Sequence, residues 1–303
     1  NFPAPHFNAK FYNSTDEVVC ISKVTHDIVK ETAPDVSSRY LPHAVNSNIF
    51  YKFKTNEKLD VINEMRHRLS VESSVKYKNP NKKIFFWNNR NARRKQSGTL
   101  IWWFKEWLDN AMLLMHTDAR DPHGQDLPHL IEHLGVNDGQ VMLSTNKVSS
   151  EDLANMYNTA DFTINISDAE GFGLATLESL SCGTPIIVNM TGGLQEQVTD
   201  GKNWFGYGIS PSSKAVIGSL DVPYIYEDRI SQKDFEKALD KALKINTKTY
   251  KRMSTLGRSH VRENYNFEDY EKGWIEIMDE VIEKHSSWDT RIGYKRWHLM
   301  EVA

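Results

Sequence analysis

Apolar and polar positions along the chain predict strands alternating with helices from about residue 83 to 200. Short apolar runs such as KIFFW at 83–87 and DFTINIS at 161–167 have the length and composition of buried strands. Between such runs, SSEDLANMYNTA at 149–160 has apolar residues at helical spacing and two serines as candidate N-caps. Further strands are predicted at 111–117, 140–144 and 184–190, and further helices at 99–112, 127–136 and 173–183. This alternation is typical of an α/β fold with a parallel, doubly wound sheet.

The segments on either side of this region have a different pattern. Residues 17–22 read as a short strand, 23–34 as a helix and 38–41 as a second strand. Residues 52–83 are polar and charged, with a helix near 57–70 and a loop at 78–83, and we interpret them as a connection between two domains. Beyond residue 200 the pattern is mostly helical, with apolar stripes in 231–245 and 267–285.

Composition narrows the class of protein. The 303 residues suffice for one large domain or two ordinary ones, and the net charge of −3 gives no global case for nucleic acid or anionic membrane. Cys20 and Cys182 each end an apolar run, which favours two buried, reduced thiols over a disulfide. The chain has no run of 18 apolar residues and no signal-peptide pattern, so we expect a soluble, cytoplasmic protein.

The stretch DAEGFGLATLESLSCGTP at 168–185 carries the chemistry. It follows a predicted strand, and ligands of open α/β sheets bind beyond the carboxyl ends of the strands. Gly171 and Gly173 allow close approach of the backbone to a ligand, and the helix beginning near Leu174 offers unpaired N–H groups to a phosphate. Glu170 lies at the mouth of this site, and Glu178 lies on the helix, where a carboxylate accepts hydrogen bonds from sugar hydroxyls. Solvated glutamates beside an ordinary turn are the alternative reading of the same residues.

The spacing of these glutamates has a known counterpart. Glu170 and Glu178, eight positions apart, resemble the E-x7-E signature of glycosyltransferase family 4, whose members are retaining enzymes of the two-domain GT-B type. The segment TGGLQEQV at 191–198 is similar to the GG-x-x-E loop of that family. FFWNNRNARRKQ at 85–96 lies where the family has a strand, an arginine and, five residues later, a lysine. The resemblance covers about residues 16–285.

The resemblance implies a role for each matching residue. Arg90 and Lys95 would hold the donor diphosphate, where preorganised cations stabilise the charge of the leaving nucleotide. Glu170 would orient the transferred sugar and Glu178 would bind the ribose hydroxyls. Further donor contacts would come from the glycine loop and from the segment that meets the base, namely Gly171, Phe172, Gly173, Leu174, Ala175, Lys147 and Val148. A core aromatic is the alternative for Phe172, and a solvated basic loop is the alternative for 90–95.

The resemblance also implies a domain plan. Residues 1–80 correspond to a remnant of the acceptor-side N-terminal domain with the linker, 81–265 to the donor-binding domain, and 266–303 to a helix that crosses back to the N-terminal domain, with the tail. The family has a complete nucleotide-fold half before residue 17, and this half normally carries the acceptor pocket and a catalytic histidine. His6 and His43 lie in the remnant, where structural roles are the alternative.

Two positions depart from the family pattern. Asn89 and Gln96 replace glycines on either side of the Arg90–Lys95 segment, and this puts the geometry of the loop in question. We expect no metal and no cofactor, because the chain has no Asp-x-Asp cluster and its histidines lack the spacing of a zinc site. The His/Asp-rich stretch 116–126 reads as a polar loop rather than a metal site.

These observations lead to one function and two alternatives. The first is retaining transfer of a sugar from a nucleoside-diphosphate sugar, with UDP as the guessed nucleotide, to a hydroxyl acceptor. The second is a non-catalytic nucleotide-sugar-binding module or half-enzyme, which would bind the donor without turnover. The third is glycosyl transfer to nucleic acid, which the acidic pI of about 6.4 opposes although the tail at 291–299 is basic and aromatic.

Overall fold

A computed structural model describes residues 4–72, 82–107, 110–287 and 290–291 of the chain. The predicted loop at 78–83 and the basic tail at 291–299 lie largely outside these residues. The strands are β1 Val18–Cys20, β2 Ser38–Tyr40, β3 Lys83–Asn88, β4 Ala111–His116, β5 Val141–Ser144, β6 Phe162–Asn165, β7 Ile186–Asn189, β8 Gly206–Ile209, β9 Ser213–Ile217 and β10 Ile225–Arg229.

Helices of the α type connect these strands and form most of the C-terminal part. They are α1 Ala9–Tyr12, α2 Lys23–Thr32, α3 Asn56–Glu72, α4 Ser97–Phe104, α5 Leu127–His133, α6 Ser150–Thr159, α7 Leu174–Ser181, α8 Leu194–Val198, α9 Gln232–Leu243, α10 Thr247–Asn264 and α11 Phe267–His285. Helix α6 begins at one of the two serines predicted as its N-cap. The side chain of Ser149 accepts a hydrogen bond from the N–H of Asp152 at the start of α6.

Six parallel strands form the central sheet in the order β5-β4-β3-β6-β7-β8. The predicted parallel α/β sheet is therefore confirmed. The order reverses between β3 and β6, because the chain builds outward from β3 in one direction and from β6 in the other. Such a reversal opens a crevice at the carboxyl ends of the two central strands.

The core lies on both faces of this sheet, as the alternation along β3 requires. Phe85 and Trp87 join a cluster with α4, α5 and α9. Ile84 and Phe86 join a second cluster that includes residues of α6, α7 and α10. Because successive side chains of a strand point to opposite faces, one continuous apolar run supplies both clusters.

The segments flanking the sheet pack on each other. β1 and β2 form a separate parallel pair. Helix α11 reaches this pair, since Arg39 on β2 donates a hydrogen bond of 2.9 Å to Glu280. A second link joins the N–H of Val45 to the carbonyl of Tyr265 at 2.9 Å. The predicted domain boundaries at residues 80 and 265 remain predictions.

The structure differs from the sequence predictions at two places. The helix predicted over 99–112 ends as α4 at Phe104, and Ala111 begins β4 because it pairs in register with Lys83 of β3. The C-terminal third is mostly helical, as predicted, but it also contains strand β8 and an antiparallel hairpin of β9 and β10, which the sequence analysis missed. The glycines of GYGI in β8 and the half-polar strands of the hairpin hide the apolar signal of a buried strand.

Both cysteines are buried free thiols, as the sequence predicts. Burial raises the pKa of both thiols. We expect the native protein to react with a thiol-specific chromogenic disulfide at pH 8 much more slowly than the unfolded protein, which should release two equivalents in guanidinium without reductant. Fewer than two equivalents from the unfolded chain would indicate a disulfide and contradict this expectation. A free exposed cysteine peptide serves as the rate control.

Candidate functional site

The site lies where the carboxyl ends of β3 and β6 meet. Helix α4, which follows β3, packs in the cluster on one face of the sheet, and α7, which follows β6, packs in the cluster on the other. The two connecting segments, 89–96 and 166–173, therefore diverge from neighbouring strands and flank a crevice. This placement brings the predicted basic segment next to the predicted glycine loop.

Lys95 and Glu170 form an ion pair across this crevice. Both side chains are shielded from water, with exposed fractions of 8% for Lys95 and 10% for Glu170. Burial lowers the pKa of Lys95, and the charge of Glu170 opposes that shift. The side-chain amide of Asn165, the last residue of β6, contacts the same Glu170 oxygen at 3.4 Å. Lys95 and Glu170, to which the family resemblance assigns roles at the donor, are thus in direct contact.

The two arginines before Lys95 fix the position of the basic segment. Arg94 donates a hydrogen bond of 2.7 Å to the carbonyl of Ala169 and lies 4.0 Å from Glu170. Arg93 binds Glu227 on β10 at 2.7 and 3.2 Å. Burial of Glu227 opposes its ionisation, but the hydrogen bonds from Arg93 and Arg229 outweigh this effect and lower the pKa of Glu227. Arg94 therefore lies at the crevice beside Lys95.

Arg90 makes a separate ion pair at the edge of the site. Its guanidinium contacts Asp121, in the loop after β4, at 2.6 and 3.1 Å. The Arg90 side chain is 60% exposed. Its hydrogen bond to Asp121 lowers the pKa of that carboxyl group. The structure records no contact of Arg90 with Lys95 or Glu170 among the described residues. Its predicted role with the diphosphate stays a prediction.

Glu178 lies on the second turn of α7, as predicted, and accepts a hydrogen bond from a buried phenol. The hydroxyl of Tyr157 donates to its Oε2 at 2.8 Å. The side-chain amide of Asn88, at the end of β3, donates to that hydroxyl at 2.8 Å. Burial raises the pKa of Glu178, and the bond from Tyr157 offsets part of the shift. A polar chain thus runs from the end of β3 to the carboxylate.

The glycine loop leads into α7 as the sequence predicts. Gly173 has a φ of 94° and occupies the N-cap position, while Leu174 begins the helix. A left-handed N-cap is a conformation that glycine adopts at low cost. The first N–H groups of α7, including those of Leu174 and Ala175, lack partners within the helix and can bind an anion. Gly171 is exposed at the tip of the loop.

The remaining predicted residues lie at the margins of the site. Phe172 is buried in the core cluster, which is the alternative that the sequence left open, and its ring contacts His43 at a centroid distance of 5.2 Å. Val148 packs against the same cluster, and Lys147 is exposed. His6 lies in a short N-terminal 3-10 helix, where its backbone N–H contacts the Tyr224 hydroxyl at 3.2 Å.

Gln96 has a backbone conformation that glycine adopts at lower cost. Its backbone is left-handed, with φ 56° and ψ 35°. Its side chain compensates for the strain, because it donates to Asp168 at 2.5 Å and accepts from Thr99 at 2.6 Å. Asn89 is not among the described residues with positive φ. Replacement of both glycines therefore leaves the Lys95 loop in place.

Several site residues were missed by the sequence analysis. They are Asn88 and Tyr157, which hold Glu178, Asp168, which holds Gln96, and Arg94, which lies against Glu170. A polar side chain at the end of a buried strand was the available signal for Asn88. It applies equally to His116 at the end of β4, whose Nδ1 lies 3.0 Å from the Ser144 hydroxyl at the end of β5.

Within 4–72, 82–107, 110–287 and 290–291, no three or more His, Cys, Asp or Glu side chains are grouped to hold a metal ion. Over the same residues, no helix combines the length and the apolar character that crossing a membrane requires.

Gly192, the first glycine of the GG-x-x-E segment, allows contact between two backbone segments. A Cβ at this position would lie 1.6 Å from the carbonyl oxygen of Glu170, and the φ of the residue is +47°. We expect Gly192→Ala to lower the free energy of unfolding by about 3 kcal/mol or more, through clash and strain together. Denaturation in guanidinium measures this change.

Gly201→Ala is the matched control for that experiment. Gly201 has a φ of +87° but open space around its Cβ position, so only backbone strain of about 1–2 kcal/mol is expected. Equal losses for the two variants would show that the contact with Glu170 is unimportant.

The raised pKa of Glu178 predicts a pH-dependent effect on stability. The folded state keeps the Glu178 proton to a higher pH than the unfolded chain, so this residue stabilises the fold less as the pH rises from 4.5 through the raised pKa. Glu178→Gln removes this loss. The melting temperature of the variant minus that of the parent should therefore increase across that pH range and stay constant above it. Thermal melts of both proteins between pH 4.5 and 8 measure the difference. Glu271→Gln, at an exposed position of α11, should show no such trend.

Known proteins share both the sequence pattern and the fold. Residues 72–260 match the family described as glycosyl transferases group 1. Alpha-monoglucosyldiacylglycerol synthase of Streptococcus pneumoniae is 27% identical over 231 residues, which are 75% of this chain and 49% of that protein. The chain thus spans about half the length of this curated relative.

Solved structures agree with that assignment. Sucrose-phosphate synthase from Thermosynechococcus elongatus superposes with a TM-score of 0.70 at 20% identity, over 91% of this chain and 61% of that one. Anabaena Alr3699/HepE in complex with UDP and glucose superposes with a TM-score of 0.70 at 15% identity, over 90% and 65% of the two chains. By its sequence and its GT-B-type α/β fold, the chain belongs to the glycosyl transferases group 1 family.

Proposed function

We propose that this chain binds a nucleoside-diphosphate sugar and supplies the donor half of a retaining glycosyltransferase. The observation that carries the proposal is the buried Lys95–Glu170 pair at the reversal of strand order, beside the N-terminus of α7. A cation, a carboxylate and free backbone N–H groups at one crevice are what a ligand with a diphosphate and a sugar requires.

Lys95 is the group we assign to the diphosphate. In the free protein, the ammonium group of Lys95 pairs with the Glu170 carboxylate. In the complex, the donor phosphates would replace that carboxylate at Nζ. As the bond to the sugar breaks, the leaving diphosphate gains negative charge that Lys95 and the α7 N–H groups stabilise. Arg94, 4.0 Å from Glu170, adds positive charge at the same crevice, and we also assign Arg90, which pairs with Asp121 at the edge of the site, to the diphosphate.

The Glu170 carboxylate, once released from Lys95, would accept hydrogen bonds from hydroxyls of the transferred sugar. We assign Glu170 this orienting role and not that of a covalent nucleophile. The configuration of the sugar would be retained because the acceptor hydroxyl attacks the same face of the sugar that the nucleotide leaves. His43 contacts Phe172 of the glycine loop, and this contact supports a position of its imidazole on the sugar side of the proposed site.

Glu178 is the group we assign to the ribose. Tyr157 and Asn88 fix the position of its carboxylate, and paired ribose hydroxyls would donate to the ionised form that burial disfavours. We propose UDP as the nucleotide because Alr3699/HepE, which shares the fold, is in complex with UDP and glucose. Metal is not required in this scheme, since cations of the chain cover the diphosphate charge.

A second candidate is a donor-binding module without turnover. It accounts for the same contacts, because Lys95, Glu170 and Glu178 are all assigned to the donor and no residue is assigned to the acceptor. Release of nucleotide from a bound UDP-sugar in the presence of sugar and alcohol acceptors separates the two: transfer or hydrolysis supports the enzyme, and binding alone supports the module.

The first experiment is calorimetric titration with UDP, GDP and ADP in EDTA, followed by the nucleoside of the best binder. We expect one diphosphate to bind, and Lys95→Gln to weaken it by about 10-fold to 100-fold while the nucleoside changes little, because one charge-assisted contact is lost. Glu178→Gln should weaken diphosphate and nucleoside alike. Arg90→Gln should resemble Lys95→Gln in direction.

Lys244→Gln is the charge control, since this exposed lysine pairs with Asp240 on α9. It should bind like the parent. The site is misplaced if Lys95→Gln and Glu178→Gln also bind like the parent, or if no diphosphate binds the parent in EDTA but one binds with magnesium.

A further inference from the structure

A second cavity lies at the opposite end of α7 from the glycine loop. Its volume is about 340 Å³, and it opens between residues 45–51 and one face of α10. Ser181, the last residue of α7, lines it, whereas Gly173 marks the other end of the helix. The residues that line the cavity include Val45, Ser47, Phe50, Thr255, Arg258 and Arg262.

Positive charge is concentrated around this cavity. Helix α10 contains five lysines and arginines, at 248, 251, 252, 258 and 262, and a single carboxylate, Glu263. At 100° per residue the five cations fall on one side of the helix, opposite the buried Met253, Gly257 and Val261. The whole chain, in contrast, has a net charge of −3.

Lys52 extends the cluster from the neighbouring segment. Its Cδ and the Cδ of Arg258 each lie 3.0 Å from the position that a Cβ at Gly183 would take, so the two side chains converge there. Its ammonium group donates to the Ser254 hydroxyl at 2.9 Å. Burial lowers the pKa of Lys52, and Arg258, Lys251 and Lys54 lower it further.

No carboxylate among the described residues forms an ion pair with Lys52, Arg258 or Arg262. The negative end of the α7 dipole faces the cluster, but it amounts to about half an elementary charge. Within the described part of the chain, these three cations therefore have no paired carboxylate, which favours binding of an external anion.

The other residues that line the cavity indicate that the anion is an organic one, because they offer both polar and apolar surface. Ser47, Thr255 and Ser259 offer hydroxyls beside the two arginines, and an arginine pair matches the geometry of phosphate oxygens. Val45, Phe50 and Val261 add apolar surface deeper in the same cavity. A phosphate with a carbon skeleton fits both parts.

We propose that the cavity lined by Arg258 and Arg262 binds the phosphate group of a phosphorylated small molecule or of a lipid headgroup. The site is separate from the donor crevice, because its residues come from 45–51, the C-terminus of α7 and α10. Tyr265 on its wall contacts the ring of Phe172 at a centroid distance of 6.0 Å, so an occupied cavity would buttress the glycine loop.

The test compares two double variants that each remove two positive charges from α10. Arg258→Gln/Arg262→Gln changes the cavity, whereas Lys248→Gln/Arg252→Gln changes the same helix outside it. Calorimetric titration with inorganic phosphate and with sn-glycerol 3-phosphate, at constant ionic strength, should show saturable binding to the parent. The cavity variant should lose about tenfold or more in affinity, and the control less than about threefold.

Vesicles distinguish the two sources of phosphate. Sedimentation with phosphatidylglycerol but not phosphatidylcholine vesicles, lost in the cavity variant and kept in the control, assigns the site to a lipid headgroup. Binding of glycerol 3-phosphate without vesicle binding assigns it to a small molecule. Phosphate held at the donor crevice would persist in the cavity variant, so only the difference from the parent counts.

The proposal is overturned if the parent binds neither probe nor anionic vesicles, or if the cavity variant binds like the parent. It is also overturned if the two double variants lose affinity equally, since general attraction to α10 would then suffice. Arg262→Gln alone, at an exposed position, replaces the double variant if that protein does not fold, and should weaken binding by at least about threefold.

Discussion

The ion pair between Lys95 and Glu170 joins the two loops on which the site depends. It is buried, and a buried charge without a partner costs several kcal/mol, so each residue stabilises the other in the absence of a ligand. The neighbouring arginines hold the loop from outside through Ala169 and Glu227. The crevice is therefore assembled in the absence of a ligand, and the ammonium group of Lys95 is available only to a ligand that competes with the Glu170 carboxylate.

The sheet and the position of the site could be predicted because both depend on local pattern. Apolar runs such as 83–87 fix the strands, and E-x7-E fixes the turn from β6 into α7. Pairings between distant segments could not be read in the same way. Arg90 pairs with Asp121, and Asn88 reaches Glu178 through Tyr157, because loops after different strands meet at one edge of the sheet. The C-terminal hairpin escaped notice because its exposed, half-polar strands lack the alternation that marks a strand with one buried face.

Polar residues at the ends of strands form a common layer under the crevice. Asn88, Asn165 and Asn189 end β3, β6 and β7. The amides of Asn165 and Asn189 contact the segment 166–173, and the amide of Asn88 donates to Tyr157 on α6. Asn189 donates to the carbonyls of Ser167 and Asp228, so it binds the glycine loop to the hairpin. Because the strands are regularly spaced, the amides at their ends hold the neighbouring segments in fixed positions, although the sequences of those segments are unrelated.

The left-handed Gln96 has a consequence for how the basic loop is ordered. A glycine at this position would leave the unfolded chain more conformations to lose, and it would leave Asp168 without the side-chain donor that Gln96 supplies. Glutamine has fewer conformations in the unfolded chain, but its backbone is strained in the folded protein. Its side-chain amide is held at the nitrogen by Asp168 and at the oxygen by Thr99. The loop that carries Lys95 then loses less conformational entropy when a ligand binds, because it is already rigid in the free protein.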